Sequence, residues 1–284
     1  MSGSTSAPLR ERLASHLAHV KHQLGGSMRI GQRDFAMRGY TPFRFGGDWT
    51  HEPHMQRVLA GLLQGRPGAF VDVGANYGQT LALLLAIDPQ RRYIGFEPQL
   101  ACCQCIEQFI LDNGLSQMHV LPLALSDSNG IARFHAAHPG DLLGSLQPEH
   151  HALQSGAATA VSWVGMRIGD EVLEEIDAGD IALVKVDVEG AEHRVLRGLA
   201  RAFSSRRPAL VFEFLPNFVG AERKALPPDA CREHRARAGE IEALLQRWGY
   251  RLQVVSEDGS LQPTAHLALD EPDAYVSYNY VAVP

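Results

Sequence analysis

The chain has 284 residues, of which 45% are hydrophobic and 20% are charged, and its formal net charge is −6. A chain of this size and composition can bury one large core, and the absence of basic runs makes nucleic acid a poor candidate substrate. The apolar stretches have the length of strands or short helices, so we expect no membrane span, and residues 1–8 lack the pattern of a secretion signal. We therefore expect a cytoplasmic protein.

An N-terminal arm at 1–53 is predicted to precede a catalytic domain at 54–284. Apolar residues at helical spacing predict a helix over 9–24. This helix could clasp the domain or form a contact between copies in a homo-oligomer. Residues 28–55 are interpreted as an irregular segment rich in aromatic and histidine residues, which either folds over a ligand, with Glu52 as the best contact, or anchors the arm.

The motif at 69–80 runs from a buried strand through a glycine turn into an apolar helix. Such a turn opens a crevice at the end of the strand, and Glu97, at the end of the next strand, can accept hydrogen bonds from both ribose hydroxyls of a nucleoside ligand. In the dinucleotide pattern G-x-G-x-x-G, the second and third glycines are here replaced by Asn76 and Gln79. Fewer glycines favour S-adenosylmethionine, whose carboxylate can bind N–H groups of the loop and helix. Asp72 could fix the loop or reach the ammonium of the ligand.

A second buried strand is predicted at 181–188, and it carries Lys185, Asp187 and, at its end, Glu189. Because side chains alternate along a strand, these three residues should share one face. A charge inside an apolar strand is costly unless it is paired, so Lys185 should neutralise a neighbouring carboxylate. The alternative is an ion-pair network that serves the fold alone.

Seven short segments occur in a fixed order between about residues 52 and 215. They are V-D-V-G-A-N at 71–76, F-E-P at 96–98, L-D-N at 111–113, A-L-S-D at 124–127, K-V-D-V-E-G-A-E at 185–192, V-L-R-G at 195–198 and L-V-F-E at 210–213. In these segments the chain resembles the FkbM family of S-adenosylmethionine-dependent methyltransferases. Chance does not readily produce so many matches in one order.

The resemblance implies methyl transfer from S-adenosylmethionine to a hydroxyl of a sugar, glycan or secondary metabolite. The expected cofactor contacts are Glu52, Asp72, Gly74, Ala75, Asn76, Tyr77, Gly78, Glu97, Pro98, Ala124, Ser126 and Asp127. The expected catalytic residues are Asp187, Lys185, Glu189 and Glu213. Asp187 would orient or deprotonate the hydroxyl, and Lys185 would keep a carboxylate ionised or stabilise the developing alkoxide.

Three alternatives remain open from the sequence. A divalent ion between Asp187 and Glu213 could lower the pKa of the acceptor, but two carboxylates are few ligands for magnesium, so a metal-free site is favoured. An NAD(P)-dependent oxidoreductase is disfavoured by the glycine pattern. A non-catalytic nucleoside-binding module on the same fold is disfavoured because the crevice residues are intact.

Strands and helices alternate from residue 54 onward, which predicts an α/β protein with a doubly wound, mostly parallel sheet. Strands at 251–256 and 275–283 should close it as a C-terminal antiparallel hairpin, as in the Rossmann-like class I methyltransferase fold with an N-terminal helical arm. Strands at 131–136 and 161–168 are predicted to form a hairpin-like excursion.

Two loops, at 137–160 and 220–238, are not core-forming in composition and are predicted to form a substrate wall or lid. Ser145 in the first loop is given a weak site role. The histidines of this region are predicted to be solvated rather than metal ligands; they are His135, His138, His150 and His151.

Cysteines are interpreted as small buried side chains rather than metal ligands. Cys102, Cys103 and Cys105 crowd one helix, and Cys231 stands alone. Because no second ligand cluster exists, neither a metal site nor a disulfide is expected.

Overall fold

The computed structural model describes residues 26–37, 53–148, 151, 159–219, 224–270 and 278–284. The helix predicted at 9–24 and the predicted ligand contact Glu52 lie outside the described residues.

The described elements alternate between strands and helices along most of the chain. They are β1 (Gly26–Ile30), β2 (Arg33–Met37), α1 (Pro53–Leu63), β3 (Ala69–Val73), α2 (Gln79–Ile87), β4 (Tyr93–Phe96), α3 (Leu100–Asp112), β5 (Met118–Leu121), β6 (Ala124–Ser126), β7 (Gly130–Ala136), β8 (Ala160–Ile168), α4 (Gly169–Glu175), β9 (Ile181–Val186), α5 (Glu192–Gly198), a π-helical turn (Ala202–Arg206), β10 (Ala209–Glu213), β11 (Phe218–Val219), β12 (Lys224–Ala225), α6 (Pro228–Arg247), β13 (Arg251–Val255), β14 (Leu261–Pro263) and β15 (Asn279–Val283).

The central sheet has eight strands in the order β14-β13-β15-β10-β9-β3-β4-β5. Strands β5, β4, β3, β9 and β10 are parallel to one another, whereas β15 is antiparallel to both β10 and β13. The predicted doubly wound, mostly parallel sheet is confirmed. The predicted C-terminal antiparallel pair is β13 and β15, and the segment between them adds β14 to the outer edge of β13.

The direction of winding reverses between β3 and β9, which are neighbours in the sheet. In an open parallel sheet this switch point leaves a crevice at the carboxyl ends of the two strands, since their following connections leave toward opposite sides. The two motifs singled out in the sequence follow these two strands.

Strand β3 is buried on both faces, as its apolar sequence predicts. Val71 and Val73 join the core on one side of the sheet, and Phe70 joins the core on the other. All three side chains are at most 1% exposed, and full burial of such a side chain contributes roughly 1.5–3 kcal/mol. Helices cover both sides, which fixes the strand ends from which the site is built.

The N-terminal hairpin corrects one prediction, because residues 28–37 are not irregular. Strands β1 and β2 pair around a two-residue turn that begins at Gly31, whose φ of 57° suits glycine. A two-residue loop with glycine in the first position is a recognised hairpin signal. Ile30 and Phe35 are buried in the same core cluster as α3, and the side chain of Asn113 exchanges hydrogen bonds with the backbone of Ala36.

Helix α6 corrects the prediction of a charged loop at 220–238. The helix begins at Pro228, which is favourable at a first helical position because proline has no N–H to satisfy. Its buried face contains His234, Ala238 and Ile241 at helical spacing. The many charged residues of the opposite, exposed face hid this stripe in the sequence.

The predicted excursion after β6 is confirmed as the antiparallel pair β7 and β8. It forms a separate three-stranded sheet with β6, in the order β6-β8-β7. The strand predicted at 118–125 is therefore two strands in two sheets. Among the described residues, no helix combines the length and hydropathy that a bilayer span requires.

Candidate functional site

A cavity of about 300 Å³ lies at the carboxyl ends of β3, β4 and β9. This volume is at the lower end of the range for small-molecule sites. The predicted site residues that line it are Gly74, Ala75, Asn76, Glu97, Pro98, Ala124, Lys185, Asp187 and Glu189. The switch point of the sheet therefore brings the two sequence motifs to one cavity.

Gly74 cannot carry a side chain in this fold. Its φ is 86°, and a Cβ atom would lie 1.8 Å from the carbonyl oxygen of Asp187. The turn after β3 therefore packs directly on the backbone that follows β9. The same contact brings the glycine loop beside Asp187.

Three backbone N–H groups of the glycine loop are already engaged. Those of Gly74 and Ala75 donate to the carbonyl of Phe96 at 2.9 and 3.0 Å. The N–H of Asn76 donates to Glu97 Oε2 at 2.9 Å. These three donors therefore do not remain for the carboxylate of a ligand, contrary to our expectation for the loop.

The first turn of α2 offers donors instead. Gln79 and Thr80 line the cavity and begin this helix, whose N-terminus has no side-chain cap in the part of the chain that the structure describes. The first N–H groups of a helix have no partner within it and attract anions. On the same wall, the buried Oδ1 of Asn76 has no hydrogen-bond partner among the described residues, so it suits a donor on a ligand.

Glu97 is held by two backbone donors. Oε1 accepts from the N–H of Gln99 at 2.8 Å, and Oε2 accepts from that of Asn76. The residue is 4% exposed, and burial raises the pKa of its carboxyl to about 7 despite these hydrogen bonds. Each oxygen keeps a lone pair that can accept a further hydrogen bond from a ligand.

A wall of the cavity is formed by residues 137–147, which we call the wall loop. The side chain of Gln99 makes two hydrogen bonds to this loop. Its Nε2 donates to Asp141 O at 2.9 Å, and its Oε1 accepts from the N–H of Gly140 at 3.1 Å. The hydroxyl of Tyr77 donates to Gly140 O at 2.9 Å. The wall-loop residues that line the cavity are Leu142, Leu143, Gly144 and Leu146. This arrangement supports the predicted wall role for this part of 137–160.

The prediction of solvated histidines is wrong for His151, whereas His138 is exposed and His150 lies outside the described residues. His151 is 0% exposed, and its Nε2 lies 2.8 Å from Asp141 Oδ2. Asp141 also accepts hydrogen bonds from the backbone N–H groups of Ala137 and Leu143. Burial would raise the pKa of Asp141, but the Ala137 N–H and His151 outweigh it and lower that pKa. The pair fixes the wall loop, and no sequence spacing identified it.

Ser145 has a structural partner in the wall loop. Its hydroxyl donates to the carbonyl of Glu189 at 2.6 Å and accepts from Gln147 N at 2.9 Å. Ser145 therefore links the wall loop to the segment after β9.

Lys185 pairs with carboxylates, as predicted. Its Nζ lies 2.9 Å from Asp187 Oδ2 and 3.9 Å from Asp72 Oδ1. Burial would lower the pKa of Lys185, but the charges of Asp187 and Asp72 outweigh it and raise that pKa. The prediction that Glu189 continues the strand alternation is wrong, because β9 ends at Val186 and Glu189 has a φ of 55°.

Asp72 does not line the cavity, although we expected it to contact the cofactor. The residue is 0% exposed, and the hydroxyl of Tyr93 donates to its Oδ2 at 2.8 Å. Burial raises the pKa of its carboxyl to about 6, while Lys185 and Tyr93 oppose this shift.

Three carboxylates meet beside Lys185. One oxygen from each of Asp187, Glu189 and Glu213 lies within 4.8 Å of the others. The sequence had suggested only two of them as possible metal ligands. Exposed acidic groups often cluster without an ion, and here the Lys185 ammonium already supplies a positive charge.

Four other predicted cofactor contacts do not line the cavity: Tyr77, Gly78, Ser126 and Asp127. The predicted catalytic residue Glu213 does not line it either. Asp127 forms salt bridges with Arg194 and Arg197, which lower its pKa against the opposing effect of burial. Ser126 is buried and its hydroxyl donates to Asp127. These contacts favour a structural role for both residues.

Sequence reasoning missed much of the apolar lining. The missed residues include Met55 and Leu59 of α1, Leu83 of α2, Phe134 of β7 and Leu123 and Leu125 around β6. Their apolar side chains have the same spacing as core residues, so no local sequence signal distinguishes cavity-lining residues from core residues. The prediction that the clustered cysteines are buried side chains is confirmed, since the three cysteines of α3 are buried. All four cysteines are free thiols.

Comparison with known families agrees with the motifs. The model of the Methyltransferase FkbM domain matches residues 72–252, which is more than half of the chain. The chain belongs to the FkbM methyltransferase family. This FkbM protein is therefore an S-adenosylmethionine-dependent methyltransferase, as the sequence motifs predicted. No curated protein matches it.

Several solved structures resemble this FkbM protein. An FkbM methyltransferase from Methylobacillus flagellatus aligns with 18% identity and a TM-score of 0.43, over 76% of this chain and 43% of the other. The chain thus spans less than half of that protein. A putative caffeoyl-CoA O-methyltransferase from Staphylococcus aureus aligns with 8% identity and a TM-score of 0.48, over 95% and 99% of the two chains. An O-methyltransferase from Bacillus cereus, in complex with S-adenosylhomocysteine, aligns with 11% identity and a TM-score of 0.42, over 82% and 81%.

Proposed function

We propose that this FkbM methyltransferase transfers a methyl group from S-adenosylmethionine to a hydroxyl of a small molecule such as a sugar, glycan or secondary metabolite. One observation carries the proposal. The carboxylate of Asp187 lines the same cavity as the glycine loop and Glu97, and its side chain is 34% exposed. A base that is held by Lys185 and reachable from the cavity suits removal of a proton from an alcohol.

The residues of the cavity fit the proposed cofactor. The ionised Glu97 would accept hydrogen bonds from the ribose hydroxyls, and the first N–H groups of α2, at Gln79 and Thr80, would hold the carboxylate. The unpaired Oδ1 of Asn76 suits the ammonium. When bound, the cofactor supplies an activated methyl group on a sulfonium.

The chain itself contributes position and a proton acceptor. Asp187 would orient the hydroxyl of the acceptor and take its proton, and Lys185 would hold Asp187 in place. Positioning provides a large part of the rate in such a displacement, because the two reacting atoms must meet in line. The wall loop would exclude water from the cavity through its leucines.

The other functions considered from the sequence carry less weight. Membership of a methyltransferase family argues against the NAD(P)-dependent oxidoreductase, and a carboxylate facing the cavity argues against a non-catalytic module. The metal-free version is kept because Lys185 occupies the position beside Asp187. Cytoplasmic location, a homo-oligomer formed through the arm and the boundary at 53/54 stay predictions.

The test is methyl transfer to a panel of acceptors. The protein would be incubated with S-adenosylmethionine and sugars, oligosaccharides or other alcohols, beside matched amines and thiols, and release of S-adenosylhomocysteine would be measured. We expect turnover with alcohols and a loss of about 10²-fold or more in Asp187→Asn, with affinity for S-adenosylhomocysteine nearly unchanged. Asp180→Asn, at an exposed position before β9, is the matched control. Transfer only to amines or thiols would overturn the hydroxyl assignment.

A further inference from the structure

Three neighbouring strands place Gly95, Asp72 and Lys185 at one level of the sheet. In the register, Asp72 lies opposite Gly95 on β4 and opposite Lys185 on β9. Tyr93 lies two residues before Gly95 and therefore on the same face. A Cβ on Gly95 would lie 2.9 Å from the hydroxyl oxygen of Tyr93. The missing side chain thus gives the Tyr93 ring room to lean along β4 and reach Asp72.

The two oxygens of Asp72 differ in their surroundings. Oδ2 accepts the hydrogen bond from Tyr93, whereas Oδ1 has no hydrogen-bond partner among the described residues. A buried acceptor without a hydrogen bond is unfavourable by roughly 1–3 kcal/mol, and more when charged. The nearest cation to Oδ1 that the structure shows is the Lys185 ammonium, at 3.9 Å.

We propose that the Lys185 ammonium has two positions: on Asp187 in the resting enzyme, and on Asp72 Oδ1 once Asp187 has taken a proton from the acceptor. This inference rests on the proposed function for its role in turnover. Asp72 and Tyr93 are then positioning residues that act through Lys185. The distance between the two positions is small, since Nζ must approach Oδ1 by only about 1 Å to form a normal hydrogen bond.

The charges of the reaction support this movement. Asp187 takes the hydroxyl proton, the acceptor oxygen forms its bond to the methyl carbon, and the electron pair of the broken carbon–sulfur bond stays on sulfur. Before transfer, the sulfonium and Lys185 balance Asp72 and Asp187. After transfer, Lys185 and Asp72 remain as the charged pair among these four groups. The charges of these four groups sum to zero at both stages, so the transfer adds no net charge among them, which is favourable because an unbalanced buried charge is costly.

The proton has a route out after transfer. Asp187 is 34% exposed, so it can release the proton to solvent, and Lys185 then returns to it. Asp72 is fully buried and keeps its charge only through Lys185 and Tyr93. The charged or titratable groups that face Asp72 are Tyr93 and Glu97 from β4 and its end, and Lys185 and Asp187 from β9 and its end.

A crystal structure of Asp187→Asn tests the second position directly. Asparagine imitates the neutral, protonated Asp187. We expect Lys185 Nζ within about 3.2 Å of Asp72 Oδ1 in the variant, against 3.9 Å in the parent structure. A lysine that stays beside residue 187, or turns to solvent, would overturn the proposal.

Nuclear magnetic resonance tests the coupling in solution. Lys21, Lys185 and Lys224 are the only lysines of the sequence, so Lys21→Arg with Lys224→Arg leaves a single signal from ¹³C-labelled lysine. The pKa of Asp72 is raised to about 6 by burial. We expect the Lys185 signal to shift with a midpoint near that pH, and the shift to vanish in Asp72→Asn.

Tyr93→Phe removes the hydrogen bond that favours the ionised Asp72, so the midpoint should move to higher pH. Tyr250→Phe is the matched control, because the buried hydroxyl of Tyr250 donates to Pro208 O at 2.7 Å, away from the site. The coupling would be overturned if the midpoint of the Lys185 signal were unchanged in Tyr93→Phe. It would also be overturned if the pH-dependent shift persisted in Asp72→Asn. Neither measurement needs an acceptor, so failure here is distinct from failure of the hydroxyl assignment.

Discussion

Gly74 and Asp187 touch through their backbones: a Cβ on Gly74 would lie 1.8 Å from the Asp187 carbonyl oxygen, and the N–H of Asp187 donates to Val73 O at 2.9 Å. The loop expected to hold the methyl donor therefore packs directly against the residue expected to face the methyl acceptor. A displacement of either strand end moves both.

Gly74→Ala should disrupt this backbone packing. The added methyl group collides with backbone, which cannot rotate away, and alanine is strained at a φ of 86°. We expect at least a 10-fold loss of affinity for S-adenosylhomocysteine by calorimetry, together with a lower melting temperature. Gly239→Ala is the control, because its Cβ would meet nothing within 4 Å on α6, and removal of a helical glycine should stabilise by up to about 1 kcal/mol. Unchanged affinity in Gly74→Ala would contradict this packing.

Binding of S-adenosylhomocysteine should weaken as the pH falls through about 7, which is the raised pKa of Glu97. Ribose hydroxyls donate to the ionised carboxylate, so binding requires loss of the Glu97 proton below that pH. One linked proton weakens affinity by roughly 10-fold per pH unit at the limit. In Glu97→Gln this pH dependence should vanish. Glu107→Gln, at an exposed position on α3, should retain it, and a flat profile in the unmodified protein would remove Glu97 from the ribose site.

The carboxyl of Glu97 should make the ligand-free protein more stable, not less, as the pH falls. Its pKa rises from 4.5 in the unfolded chain to about 7 in the fold, so the folded state binds the proton more tightly. Its stabilising contribution is complete below 4.5 and is lost as the pH rises through about 7. Denaturant titrations at a series of pH values should show this decline, and Glu97→Gln should reduce it.

His151→Phe should loosen the wall loop. Asp141 would lose its buried imidazole partner, which should lower the free energy of unfolding by about 1–3 kcal/mol. Affinity for S-adenosylhomocysteine should fall several-fold, because Leu142 and Leu143 are no longer held against the cavity. The exposed His119 of β5 provides the control substitution, His119→Ala. If the two variants unfold alike, His151 does not anchor the loop.

If the site works without a metal ion, a chelator should not affect the protein. A chelator followed by dialysis should leave the melting temperature and the affinity for S-adenosylhomocysteine unchanged, since Lys185 already compensates the carboxylates beside it. Magnesium added back should likewise change neither quantity. A rise in melting temperature with magnesium that disappears in Glu213→Gln would instead favour an ion among Asp187, Glu189 and Glu213.

The sequence revealed the parts of the site that depend on local pattern. The apolar run of β3, the glycines of the turn and Glu97 after β4 each carry their signal within a few residues, because strand burial and turn geometry are decided locally. The pairing of Lys185 with a carboxylate also followed from the cost of a buried charge. The hairpin at 26–37 likewise has a local signal, the glycine at position 31 of its turn.

The residues that meet across the fold were decided by tertiary structure alone. Register between β4, β3 and β9 places Tyr93 and Asp72 behind Lys185, and the end of β9 at Val186 brings Glu189 toward Glu213. The pairing of His151 with Asp141, and the approach of the wall loop to Gln99, depend on the separate sheet of β6, β7 and β8. Sequence pattern determines which face of an element is buried, but the packing of all elements together decides which polar groups then become neighbours.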